Sequence, residues 1–344
     1  MKNLKFLLIP LIFLKTFILS SQETLRNEVI SKVNDTEKRE LFSVAEIVKF
    51  DDQILRTDQL VFSSNSILEF TNLSYPWIAI VADSIKFAAP LKKATIRRKL
   101  DIIADNGKNG KNGDNGINGG RPYGRHGHRG GNGFQGQNGG TGETINLPDI
   151  YIITRGIKSQ ESNQTPDYIN LKLIFPGIDG GRGGLGGDGG SGGYGGDGRK
   201  ARSNPIHCES GGGNGGTGGD AGLGGKGGNG GNGGNGSNIY FLGNSETLDV
   251  LSYATIVNTG GDGGLYGSPG RVGRPGKGGS MGGGEGHCGG GKTGVIGSIP
   301  NPNNLGIGSL GNDGQKGSVI QYKIDDFDLL TILPKAKKIE FVNN

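Results

Sequence analysis

The alternation of apolar and polar residues changes character several times along the chain. Lys2 and Lys5 precede an apolar core from Phe6 to Leu14, and the small residues Ser20-Ser21 follow. That order is the pattern of a secretory signal over 1–21. Lys15 splits the apolar stretch, which is too short for a spanning helix, and a retained anchor is the competing reading. Residues 22–46 are polar, with weakly spaced Leu25, Val29 and Val33, and read as a linker or short helix. From 47 to 103 short β-prone pieces follow closely: Ile54-Leu55, Leu60-Val61-Phe62, Ile67 to Phe70, Trp77 to Ala82 and Ile85-Lys86-Phe87. Turn formers such as Asp51-Asp52 and Ser63-Ser64-Asn65 separate them, which suits a small β-sandwich or the rungs of a β-solenoid.

Further apolar pieces lie at 144–154, 168–175, 238–242 and 248–257. In the second of these Ile169, Leu171, Leu173 and Phe175 alternate with Asn170 and Lys172, the period-two signature of a strand. They read as strands that continue the β layer. Val319 to Ile324 and Ile339 to Val342, within 319–344, would close it.

Between these pieces, over 104–318, neither a helical nor a strand period holds. Most of the 72 glycines lie here at a period of three, as in Gly177, Gly180, Gly183, Gly186, Gly189, Gly192, Gly195 and Gly198. Three residues per turn is the period of polyproline II, and Gly at every third place leaves one edge bare for another backbone. GGX triplets leave two bare edges, so 177–198 and 212–236 are placed inside and the GXX runs 107–142 and 261–279 outside. The expected class is therefore mainly β with a polyglycine II helix bundle, its strands interleaved with Gly-rich runs. Collagen and disorder compete with it. The first wants abundant Pro, of which there are 13, and only Gly267 to Gly276 looks collagenous. The second has no need to keep register across interruptions, yet position 221, where Gly is due, carries Ala.

The GGX and GXX runs resemble the polyglycine II bundles of snow flea antifreeze protein and of phage tail-fibre adhesins. They also look like the Gly-rich, collagen-like secreted proteins of bacteria. The likeness covers about 107–317, rests on the repeat period, and implies an architecture more than a function.

Charge and chemistry then narrow the candidates. Net charge is only +5. Cys208 and Cys288 form an even pair in a chain that reads as exported, which favours a disulfide. Free thiols remain open, as does a metal site using the adjacent His207 and His287. Gly286 to Thr293 matches the phosphate-loop pattern, but no helix can follow in Gly294-Val295-Ile296-Gly297, so a nucleotide site is rejected. No nucleophile–base arrangement stands out, and no enzyme or cofactor is expected. The best binding candidates are Arg121, Tyr123, Arg125, His126, His128 and Arg129, a basic patch with one aromatic ring. Asn106, Asn109, Asn112, Asn115 and Asn118, each before a Gly, would stack five amides along one edge for a neighbouring run, a sugar chain or an ice plane. The sequence thus predicts an exported, extracellular, non-enzymatic structural or adhesive protein. Its partner would be an anionic glycan or cell envelope, with no nucleic acid and no membrane span after signal removal. An ice-binding face, opposed by the charges Lys108, Lys111 and Asp114, is the alternative.

Overall fold

The structure, a computed structural model, describes residues 29, 31–33, 35–120 and 125–324. The expected signal at 1–21, Arg121, Tyr123 and the strand expected at 339–342 lie outside these residues. Among the described residues no helix is long and apolar enough to cross a membrane.

Six strands form one parallel sheet in the order β1-β3-β5-β7-β11-β13: Arg39–Val44, Ile54–Phe62, Trp77–Phe87, Asp149–Ser159, Ile239–Gly243 and Val319–Lys323. Five form a second parallel sheet in the order β12-β8-β6-β4-β2: Thr255–Val257, Leu171–Ile174, Ala94–Arg98, Ile67–Phe70 and Ile47–Phe50. The chain visits the two sheets in turn, so neighbours within a sheet are separated by a strand of the other. Parallel pairing needs a crossover, and the opposite sheet supplies it. Inward side chains meet between the sheets, with Leu55, Leu60, Phe62, Ile80, Ile85 and Ile152 from one against Leu68, Phe70, Ile96, Leu171 and Leu173 from the other. On the outer face of the first sheet, Val29 and Val33 join Ile54, Trp77, Ala79, Val81, Tyr151 and Leu242 in a second buried cluster. A short helix, α1 (Ser245–Leu251), follows β11 and is capped by Asn244.

These findings correct the expected class. A small sandwich or solenoid over 47–103 beside a polyglycine II bundle is replaced by two parallel sheets, of six and five strands, drawn from Arg39 to Lys323. Close spacing of pieces within 47–103 suggested a local domain, whereas β5 pairs with β7 across the whole first Gly-rich excursion. No Gly-rich run is a regular helix or strand. Each is extended chain held by backbone bonds to other runs.

Three connections from the second sheet back to the first leave the core and return: β6 to β7, β8 to β11 and β12 to β13. They contribute six runs: run 1 (105–119), run 2 (127–143), run 3 (177–198), run 4 (212–236), run 5 (260–282) and run 6 (291–317). Runs 1, 3 and 5 lie side by side, with Gly107, Gly110 and Gly113 N–H donating to Arg182, Leu185 and Asp188, and Gly180 and Gly183 N–H to Asp262 and Leu265. Runs 2, 4 and 6 form the return layer in the same way. Antiparallel bonds join the layers, as from Gly187 N–H to the Gln137 carbonyl and from Gly225 N–H to that of Gly187. Runs 3 and 4 are bonded to four neighbours each.

The base of this arm is fixed by buried polar side chains. Arg98 donates to the Pro176, Gly177 and Lys99 carbonyls, with burial lowering its pKa below the usual guanidinium value. Asn258 donates to the carbonyls of Ser237 and Gly317. Toward the far end, β9 (Arg202–Ser203) pairs antiparallel with β10 (Cys208–Ser210), and a Cys208–Cys288 disulfide joins the excursion of runs 3 and 4 to that of runs 5 and 6. Between the bonds of Ala221 to Ser298 and of Gly227 to Gly306, eight residues of run 6 cover the span of six in run 4. This detour includes the 3-10 turn Pro302–Asn304, and Ala221 sits at its start.

A methyl group at Gly187 would overlap the Lys111 carbonyl, whereas one at Gly283 meets open space. Overpacking of this kind costs roughly 1–3 kcal/mol or more. Gly187→Ala is therefore expected to lower the thermal midpoint by several degrees and Gly283→Ala to leave it unchanged. Calorimetry of the two variants checks this.

Candidate functional site

In the GGX runs each triplet carries one outward residue, whose N–H needs an acceptor other than a glycine carbonyl. The sequence solves this with an Asn or Asp before the Gly of the neighbouring run. Asn106 Oδ1 accepts from Arg182 N–H at 2.9 Å, while Gly107 N–H donates to the Arg182 carbonyl at 2.7 Å. One dipeptide thus clamps both polar groups of one residue. Asn109, Asn112, Asn115 and Asn118 do the same for Leu185, Asp188, Ser191 and Tyr194. Run 3 continues the device toward run 5, with Asp179, Asp188 and Asp197 accepting from Asp262, Arg271 and Ser280. In the return layer, Asn132 and Asn138 clamp Asp220 and Lys226, and Asn229, Asn232 and Asn235 clamp Ser309, Asn312 and Gln315. The Asn ladder therefore spends its Oδ1 atoms on the neighbouring run.

The basic patch is brought together only in part. Arg125 is exposed, its carbonyl accepts from Arg199 N–H, and its guanidinium lies beside Gly211. His126 Nδ1 accepts from Asn214 N–H at 2.9 Å, which makes the Nε2–H tautomer the structural one. His128 contributes its carbonyl to Gly196 N–H. Arg129 is paired with Asp220 at 2.7 Å and also reaches Asn132. Hydrogen bonds from the Ser298 hydroxyl and then its N–H, with Arg129 adding attraction, hold the Asp220 carboxyl below its usual range.

Two flat faces result. On the face of runs 1, 3 and 5, Arg271, Arg274 and Lys277 are exposed at successive outward positions of run 5, beside Asp188, Ser191 and Tyr194 of run 3. Three residues of extended chain separate neighbouring cations by at most about 10 Å. Sequence reasoning passed over this column because Gly267 to Gly276 was weighed as a collagen-like stretch. Its spacing of three was the signal available. On the opposite face, nearest the core, Thr141, Asn229, Asn232, Asn235, Ser309, Asn312 and Gln315 make an uncharged field. Gly286, within the phosphate-loop match, takes a left-handed φ of 52°, and the chain after it enters run 6 rather than a helix. Among the described residues no three His, Cys, Asp or Glu gather as a metal site.

No family model and no curated protein matches this chain. Among solved structures, that titled as the nine polyproline type II helical bundle springtail antifreeze protein from Granisotoma rainieri aligns at 22% identity. It covers 62% of this chain and 96% of that one at a TM-score of 0.08, a superposition that carries no argument about fold or function.

Two tests follow from the clamps. Converting Asn109, Asn112 and Asn115 to Ala removes three acceptors, at about 1 kcal/mol each, and should lower the melting midpoint, while the matching Asp variants keep it close to wild type. Because the folded pKa of Asp220 is depressed, its contribution is full above the ordinary carboxylate value of about 4 and is lost as pH falls through the lowered one. In an NMR titration Ser298→Ala should raise the Asp220 midpoint more than Arg129→Ala does. The reverse order would contradict the assigned causes.

Proposed function

We propose that this is an exported, non-enzymatic structural protein whose Gly-rich arm adheres to an anionic glycan or envelope polymer. The column Arg271, Arg274 and Lys277 carries this reading. It is an evenly spaced row of cations whose carbonyls are already held by Gly189, Gly192 and Gly195 N–H of run 3, suited to a linear polyanion. The Cys208–Cys288 disulfide supports an oxidising compartment. Arg129 is a weaker candidate contact, since Asp220 already neutralises it. Binding of the exported chain to immobilised alginate should fall at least tenfold on Arg271→Ala/Arg274→Ala/Lys277→Ala and weaken with added salt. Arg125→Ala should change it less. Undiminished binding by the triple variant would overturn the reading.

The uncharged field of Thr141, Asn229, Asn232, Asn235, Ser309, Asn312 and Gln315 favours a second reading, binding of ice by a regular polar face. Thermal hysteresis that is lost in Asn232→Lys/Asn312→Lys would support it. Absence of both hysteresis and ice-recrystallisation inhibition would exclude it.

A further inference from the structure

The first sheet kinks where two consecutive residues turn outward on three adjacent strands. They are Asp58-Gln59 on β3, Asp83-Ser84 on β5 and Arg155-Gly156 on β7, with the inward sequence resuming at Leu60, Ile85 and Ile157. The Thr57 and Thr154 hydroxyls donate to the Gln59 and Gly156 carbonyls and fix the kink. A cleft of about 670 Å³ opens over it, walled by Asn163 and Thr165 on one side and by Asn244 and Glu246 at the start of α1 on the other. It lies near the carboxyl ends of the strands, away from the arm. Its floor is hollow at Gly156, where a Cβ would meet nothing nearer than Lys158 Cε at 3.7 Å.

Two features of this cleft are costly in the free protein. Lys86 and Lys158 stand in register on neighbouring strands, and among the described residues neither has an ion-pair partner. Like charges so placed repel. Asp83 Oδ2 accepts from the Arg155 guanidinium at 2.9 Å, but its Oδ1 is buried without a hydrogen-bond partner. An anionic group placed between the two lysines would relieve the first.

We propose that the cleft binds an acidic saccharide residue of the uronate kind. Its carboxylate lies between Lys86 and Lys158, its hydroxyls face Asn163 and Thr165, and the sugar ring lies over Gly156. The site shares only its ligand class with the proposed function and is built from different residues.

Calorimetric titration of the exported chain with trigalacturonate tests it, with neutral galactotriose as control. The acidic trimer should bind and the neutral one at least tenfold more weakly. Lys158→Ala should weaken binding at least tenfold, and Gly156→Val, whose Cβ position is free of close contacts, should abolish it by crowding the ring. Melting curves confirm that both variants are folded. The arm triple variant Arg271→Ala/Arg274→Ala/Lys277→Ala should keep trimer binding while losing the polymer. No trimer binding at millimolar concentration overturns the cleft proposal and leaves the arm reading to its own test. Binding unchanged by Lys158→Ala and Gly156→Val, or lost only in the arm variant, also overturns it by placing the ligand elsewhere.

Discussion

Every peptide unit brings one donor and one acceptor, and leaving either buried and unpaired costs about 1–3 kcal/mol. Helices and sheets meet that demand locally, but the six Gly-rich runs do neither. They meet it by lying so close that an inner run donates its N–H groups to two neighbours and accepts at its carbonyls from two others. The close approach is possible only where side chains are missing, which ties the glycine period to the hydrogen-bond period. Where an Asn-Gly or Asp-Gly dipeptide lies alongside, its short side-chain acceptor takes an outward N–H that backbone carbonyls miss.

An array with so little apolar content needs a rigid origin, and the paired sheets provide it. Runs 1, 3 and 5 leave from β6, β8 and β12, neighbours in one sheet, and runs 2, 4 and 6 return to β7, β11 and β13, neighbours in the other, so each layer of runs starts already side by side. β7 and β11 pair from Ile150 and Ile239 onward, immediately after runs 2 and 4 come home. Arg98 and Asn258 then satisfy carbonyls at the junction where one bonding scheme gives way to the other. At the far end the Cys208–Cys288 disulfide closes a span of 80 residues. On the chain-entropy account that constrains the unfolded state by up to about 4 kcal/mol.

Local pattern was readable from the sequence, and long-range pairing was not. The alternation at Ile169, Leu171, Leu173 and Phe175 marks β8 and its inward face, and the Asn-Gly series marks a regular edge. The sheet arrangement was missed because parallel partners sit an excursion apart, and no residue in β5 announces that Ile80 will lie beside Ile152. At the candidate site, Arg129 looked available from sequence, but Asp220, which pairs with it, is 91 residues away. The Arg271, Arg274 and Lys277 column becomes a site only once the face it occupies is known. The kink at Gly156 carries no sequence mark beyond a lone glycine in a strand.

Amide hydrogen exchange of the arm, followed residue by residue, tests the bonding scheme most directly. Leu185, Asp188 and Ser309 present their side chains to solvent, yet each N–H is held by a clamp from the neighbouring run. The account predicts that these exposed residues exchange slowly, together with interior glycines such as Gly187 and Gly225. Exchange of the outward amides at the rate of an unprotected chain would contradict it.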